Sequence, residues 1–115
     1  MAKIIRFKES VRIKAWTPGL SEIMNYLESI QNRFDWIPEL TITSCNDSVH
    51  LPNSQHYRDM AIDIRSHNFA CLTAKEDFVT MLQGGLGPKF LVLFESVGTD
   101  NEHIHVQQVR GVTFP

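Results

Sequence analysis

Two short stretches hold the residues whose types and spacing could do chemistry. In 53-NSQHYRDMAIDIR-65, His56 is followed seven residues later by Asp63, a carboxylate set in the middle of an apolar alternation. An unpaired buried carboxylate costs several kcal/mol, so it neutralises, finds a partner or binds a metal. In 102-EHIHV-106, His103 and His105 lie two residues apart, which on a strand puts both rings on one side. If the two strands are neighbours, His56, Asp63 and one or both of these histidines converge. Two imidazoles and one carboxylate make a catalytic zinc set, with the fourth position left to water. Glu102, three residues before His105, is near enough to serve as the base that takes the proton from that water.

Each pattern is weak alone. An H-x6-D spacing recurs by chance in a chain with five histidines, and an HxH pair on a strand is often a surface pair or a hydrogen-bonded core pair. Their joint occurrence beside two expected strands points to one site. His50 and His67 read as solvated loop residues, although His50 lies in the loop leading to the site.

The elements that must position these residues follow from periodicity. Leu20, Ile23, Met24, Leu27, Ile30 and Phe34 make one helical face, so a helix is expected over 18–34, with Thr17 as N-cap and Pro18 in its first turn. Residues 39–44 alternate as a strand, a loop is expected from Cys45 to about His56, and 60–65 alternate again. A second helix is expected over 74–83, with Thr73 and Glu76 at capping-box spacing and the glycines at 84, 85 and 87 as its stop. The run KFLVLFESV reads as a central strand covered on both faces, and 103–109 as a final strand, joined by the turn residues Gly98, Thr99, Asp100 and Asn101. The segments IIRF and VRIKAW are expected to add short strands. The fold class is α+β: two helices packed against a small antiparallel sheet in one domain, 1–115.

Composition agrees. The 115 residues are 43% hydrophobic and 21% charged, enough for a core that removes about two thirds of the unfolded chain's surface from water. A net charge of -2 gives no electrostatic footprint for nucleic acid. No window approaches the length of a membrane span, and no apolar leader follows the charged N-terminus. The expectation is therefore synthesis in a cytoplasm, with neither a nucleic acid nor a membrane as partner. Cys45 and Cys71 lack CxxC spacing and read as two buried reduced thiols.

At this point 52-PNSQHYRDMAIDIR-65 resembles the S-x-H-x-x-G-x-A-x-D signature of the zinc D-Ala-D-Ala carboxypeptidases and endolysin peptidases, of the superfamily shared with lysostaphin and the hedgehog domain. Ser54, His56, Ala61 and Asp63 match in register, and FLVLFESVGTDNEHIHVQ looks like the family's closing strand, turn and strand. The resemblance covers roughly residues 40–108. It implies a hedgehog/DD-peptidase-like zinc fold and one Zn2+ held by His56, Asp63 and His105. Glu102 would be the base, as in the carboxypeptidase branch, or His103, as in the lysostaphin-like branch; with Glu102 as base, His103 would hydrogen-bond a ligand of the metal or the transition state. Ser54 would orient the loop or a ligand. The signature glycine is Asp59 here, and 44-SCNDSVH-50 carries no arginine where the family has one to polarise the scissile carbonyl. Arg58 or Arg65 could substitute for it, or Asn46 or His50 could donate more weakly.

The resulting expectation is a monomeric zinc metallopeptidase, phage-related, that hydrolyses an amide bond in peptidoglycan stem peptides and reaches the cell wall by a holin-like route. Two other readings stay open. One is a zinc-stabilised binding module without catalysis, where loss of the metal loosens the fold. The other, more remote, is a single-strand DNA nuclease of the His-hydrophobe-His type, for which no tyrosine follows His105. A nucleophilic Cys45 lacks a positive partner to lower its pKa.

Overall fold

The computed structural model describes residues 2–13, 16–49 and 58–109. Along the chain run β1 (Arg6–Phe7), α1 (Pro18–Arg33), β2 (Thr41–Val49), β3 (Arg58–Arg65), α2 (Leu72–Leu86), β4 (Phe90–Glu95) and β5 (His103–Gln108). The strands form one sheet in the order β1-β2-β3-β5-β4. The expected α+β class holds, but the sheet is mixed: β1 pairs parallel to β2, and the other neighbours are antiparallel.

α1 starts where its cap chemistry dictates. Thr17 Oγ1 accepts the Leu20 N–H at 3.1 Å, and Pro18 opens the first turn. Its buried stripe, from Leu20 to Ile30, packs with Phe78, Leu82 and Leu86 of α2 into one cluster. The same cluster takes in Ile42, Met60, Ile62, Ile64, Phe90, Val92, Ile104 and Val106 from the strands. These strand residues alternate with outward ones, so a single sheet face is covered by the helices.

Several boundaries differ from expectation. β2 runs on to Val49 through a stretch of turn-forming residues, because its backbone pairs with β3 as far as Val49 with Arg58; pairing overrides weak local propensity. A bulge between Ile42 and Ser44 shifts the register, so that Ser44 opposes Asp63 while Cys45 packs toward the core. α2 begins two residues early. Cys71 occupies its N-cap without a side-chain bond and is exposed, so Thr73 and Glu76 lie inside the helix and make no capping box. Gly84 and Gly85 stay helical, and the stop is Gly87 alone, at φ 79°. Residues 11–13 form no strand, and Lys14 and Ala15 lie outside the described residues.

The main correction concerns β4. It is an edge strand, not a central one. Phe90 and Val92 are buried, whereas Leu91 and Leu93 face outward. The apolar run reads as doubly covered only because its outward positions happen to be leucine. Among the described residues, no helix is long and apolar enough to cross a membrane.

The two helical glycines make a paired test. A Cβ on Gly85 would fall 1.9 Å from the Tyr26 hydroxyl, whereas one on Gly84 would meet nothing within 4 Å. Gly85→Ala is expected to destabilise the fold by about 1–3 kcal/mol through overpacking, and Gly84→Ala to stabilise it by about 0.5–1 kcal/mol through helix propensity. Urea denaturation of the two variants checks both signs.

Candidate metal centre

The register of β3, β5 and β4 lays nine side chains, as a three-by-three grid, on the face that no described helix covers. One row is Leu91, Gln107 and Ala61; the next is Leu93, His105 and Asp63; the third is Glu95, His103 and Arg65. Inward residues of the same strands, Ile62, Ile64, Ile104 and Val106, are buried. Asp63 is thus an outward residue of a half-covered strand, which removes the cost of full burial.

Asp63 Oδ1 lies 2.8 Å from His105 Nδ1 and 3.8 Å from His103 Nε2. On the other side of the imidazoles, Glu95 Oε1 lies 3.1 Å from His103 Nε2 and 3.8 Å from His105 Nδ1. The ring nitrogens turned away from the cluster are also held. His103 Nδ1 donates to the Asn101 carbonyl at 2.6 Å, and His105 Nε2 sits 2.8 Å from the Gln107 amide oxygen. An N–H used on each outer nitrogen leaves the inner nitrogen of each ring to face Asp63 and Glu95. This is the outer-shell arrangement that fixes tautomer and ring orientation in metal-ligating histidines. Asp63, His103 and His105, all half-buried, present one donor atom each within 4.8 Å of one another, and the cluster could hold a metal ion. Among the described residues, both His103 nitrogens face acceptors. Its pKa is accordingly raised, first by the bond to Asn101, then by the Asp63 charge and Glu95.

Of the expected ligands, Asp63 and His105 are brought together. His103 stands in the same cluster, and Arg65 is exposed on the same face, in register with His103. His56, Ser54 and His50 lie outside the described residues, as do the side chains of Asn46 and Arg58. Asp59 pairs with Ser48 inside β3 and is not among the positive-φ residues, so its backbone needs no glycine.

Glu102, expected as a free base, is not in the cluster. Its carboxylate is buried, with Lys75 Nζ at 2.5 Å, Ser66 Oγ at 2.7 Å and the Gly98 N–H at 2.9 Å. Lys75, then Gly98 and Ser66, lower its pKa to about 2 against burial. A carboxylate so held is structural: it ties the β4–β5 turn to α2. Sequence reasoning missed Glu95 and Gln107. Carrying the period of two through FLVLFE would have placed Glu95 on the outward face beside His103.

A groove of about 310 Å³, lined by Lys3, Ile5, Phe7, Trp16 and Met24 among others, shares no residue with this cluster. The chain matches no protein-family model, no curated protein and no solved structure.

The Glu102 anchor has a pH signature. Its folded pKa lies below the ordinary 4.5, so its stabilisation is full above about 4.5 and is lost as pH falls toward about 2. Lys75→Met, which leaves a buried carboxylate without its cation, is expected to cost about 3 kcal/mol at neutral pH and to flatten the acid limb. Thermal unfolding of both proteins between those pH values measures each effect.

Proposed function

We propose that the chain is a zinc-dependent peptidase that acts on peptidoglycan stem peptides, with Asp63 and His105 as its core ligands. The observation that carries the reading is the pair of imidazoles whose outer nitrogens are used by Asn101 and Gln107 while their inner nitrogens meet Asp63. The donor set fits zinc. Bonds of 2.0–2.2 Å in a tetrahedron set donors about 3.3–3.6 Å apart, and the separations of 2.8 and 3.8 Å bracket that value. The resemblance in the two motifs supports a peptidase over other zinc proteins.

Zinc, when bound, supplies Lewis acidity toward a carbonyl oxygen and makes water a nucleophile near neutral pH. The protein's own groups then divide the remaining work. Glu95, open to solvent and beside both imidazoles, takes over the role expected of Glu102: it accepts a proton at Oε1 and returns it to the leaving amine. An extended peptide would lie along the sheet face that no described helix covers, with Arg65 at the row of His103 to hold a carbonyl or carboxylate oxygen.

The third ligand separates two versions. The resemblance makes it His56, with His103 donating from Nε2 to charge that develops on the substrate. The proximity of His103 to Asp63 and His105 favours His103 itself.

Zinc content near one per chain is expected by elemental analysis, with Asp63→Asn and His105→Ala losing it. Glu95→Gln is expected to keep zinc and to lose at least about 100-fold in turnover of purified peptidoglycan. Loss of zinc in His56→Ala with retention in His103→Ala selects the first version, and the reverse selects the second. A parent protein that holds no zinc would sink the reading altogether.

A further inference from the structure

Leu91 and Leu93 are the unexplained part of the grid. They are 39% and 37% exposed, and of the other seven grid residues Ala61 alone is apolar. Leu93 is the cross-strand partner of His105, and Leu91 of Gln107. Side chains directly opposed on antiparallel strands have Cβ atoms about 4.5–5.5 Å apart, so Leu93 borders the metal cluster directly. An i, i+2 pair on a strand spans about 7 Å, room for one small aliphatic group.

Exposed leucines on an edge strand invite another occupant, the edge strand of a second copy of the chain. The backbone argues against it. In β4 the residues whose N–H and C=O point away from β5 are Phe90, Val92 and Phe94. Gln83 of α2 takes two of these groups: its Nε2 donates to the Phe90 carbonyl at 2.8 Å, and its Oε1 accepts the Val92 N–H at 2.8 Å. The edge beside Leu91 is therefore blocked to strand addition, while among the described residues no helix covers the outward face above the two leucines, which is continuous with the cluster. Ligand sites combine such apolar walls with a few convergent polar groups.

We propose that Leu91 and Leu93 form an apolar shelf that determines specificity by receiving an aliphatic side chain of the peptide residue next to the scissile bond. This rests on the peptidase reading above. A polar side chain at that residue leaves the shelf unfilled and its own hydrogen bonds unmade, so the shelf selects alanine, valine or leucine over asparagine.

The test uses the zinc-loaded full chain and synthetic stem peptides that differ only in the residue flanking the scissile bond, as alanine, leucine or asparagine. The parent is expected to prefer the aliphatic peptides in kcat/KM by about 10-fold or more. Leu93→Asn and Leu91→Asn should narrow that preference to about 2-fold, mainly through KM, with zinc content and melting temperature kept; Leu93→Met should restore it. Absence of any hydrolysis by the parent overturns the peptidase reading and the shelf with it. Hydrolysis whose preference survives both asparagine variants overturns the shelf alone. A dimer in solution that Leu93→Asn dissociates also overturns it, because the leucines then belong to a second copy.

Discussion

Register between β3 and β5 is the constraint on which the rest depends. Ile62 faces Val106 and Ile64 faces Ile104, and all four are buried against the helices. Each such side chain contributes roughly 1.5–3 kcal/mol by leaving water. A slip of one residue would turn this set outward and drive Asp63, His103 and His105 into the core. The same burial that holds the sheet together therefore aligns Asp63 with His105. The Asp63, His103 and His105 cluster is positioned by apolar residues on the opposite face of the sheet.

Register alone does not set where His103 lies, because it is the first residue of β5, beside a long turn. The turn is fixed from below. Glu102 accepts from the Gly98 N–H across it, from Ser66 just beyond β3 and from Lys75 in the first turn of α2. One buried carboxylate thus links three elements, and its chain neighbour His103 inherits the placement. The outer nitrogen of His103 is then oriented by Asn101, a residue of that same turn. Packing supplies the strands, and a polar anchor supplies the last half-turn of geometry.

What the sequence made legible follows from which features have a period. The apolar stripe of α1, the alternation of residues 60–65 and the shared side of His103 and His105 come from spacings of 3.6 or 2 and agree with the structure. The edge position of β4 has no such signal: Leu91 and Leu93 erase the alternation that would have revealed a half-covered strand. The start of α2 misled for a related reason, since Thr73 and Glu76 have capping-box spacing yet sit two residues too deep. Long-range pairing also extended β2 through Asn46, Asp47 and Ser48, residues that read locally as turn. The different placement of Glu102 and Glu95 depends on a partner, Lys75, twenty-seven residues from Glu102, which no spacing rule supplies.

Carboxylates at a hairpin can differ in this way even when both lie near the same histidines. Glu95 and Glu102 bracket the same turn, and either is close enough in sequence to His103 and His105 to serve them. Partners separate the two. Glu102 is 5% exposed with an ammonium against it, and with a pKa near 2 it stays ionised through the physiological range, strong as an anchor and poor as a proton carrier. Glu95 is 42% exposed and meets imidazoles instead. Among the described residues Glu95 meets no ammonium there, so it is not tied into the ion pair that anchors the turn. Placing one carboxylate beneath the sheet and the other above it lets Glu102 hold the turn while Glu95 stays beside the imidazoles.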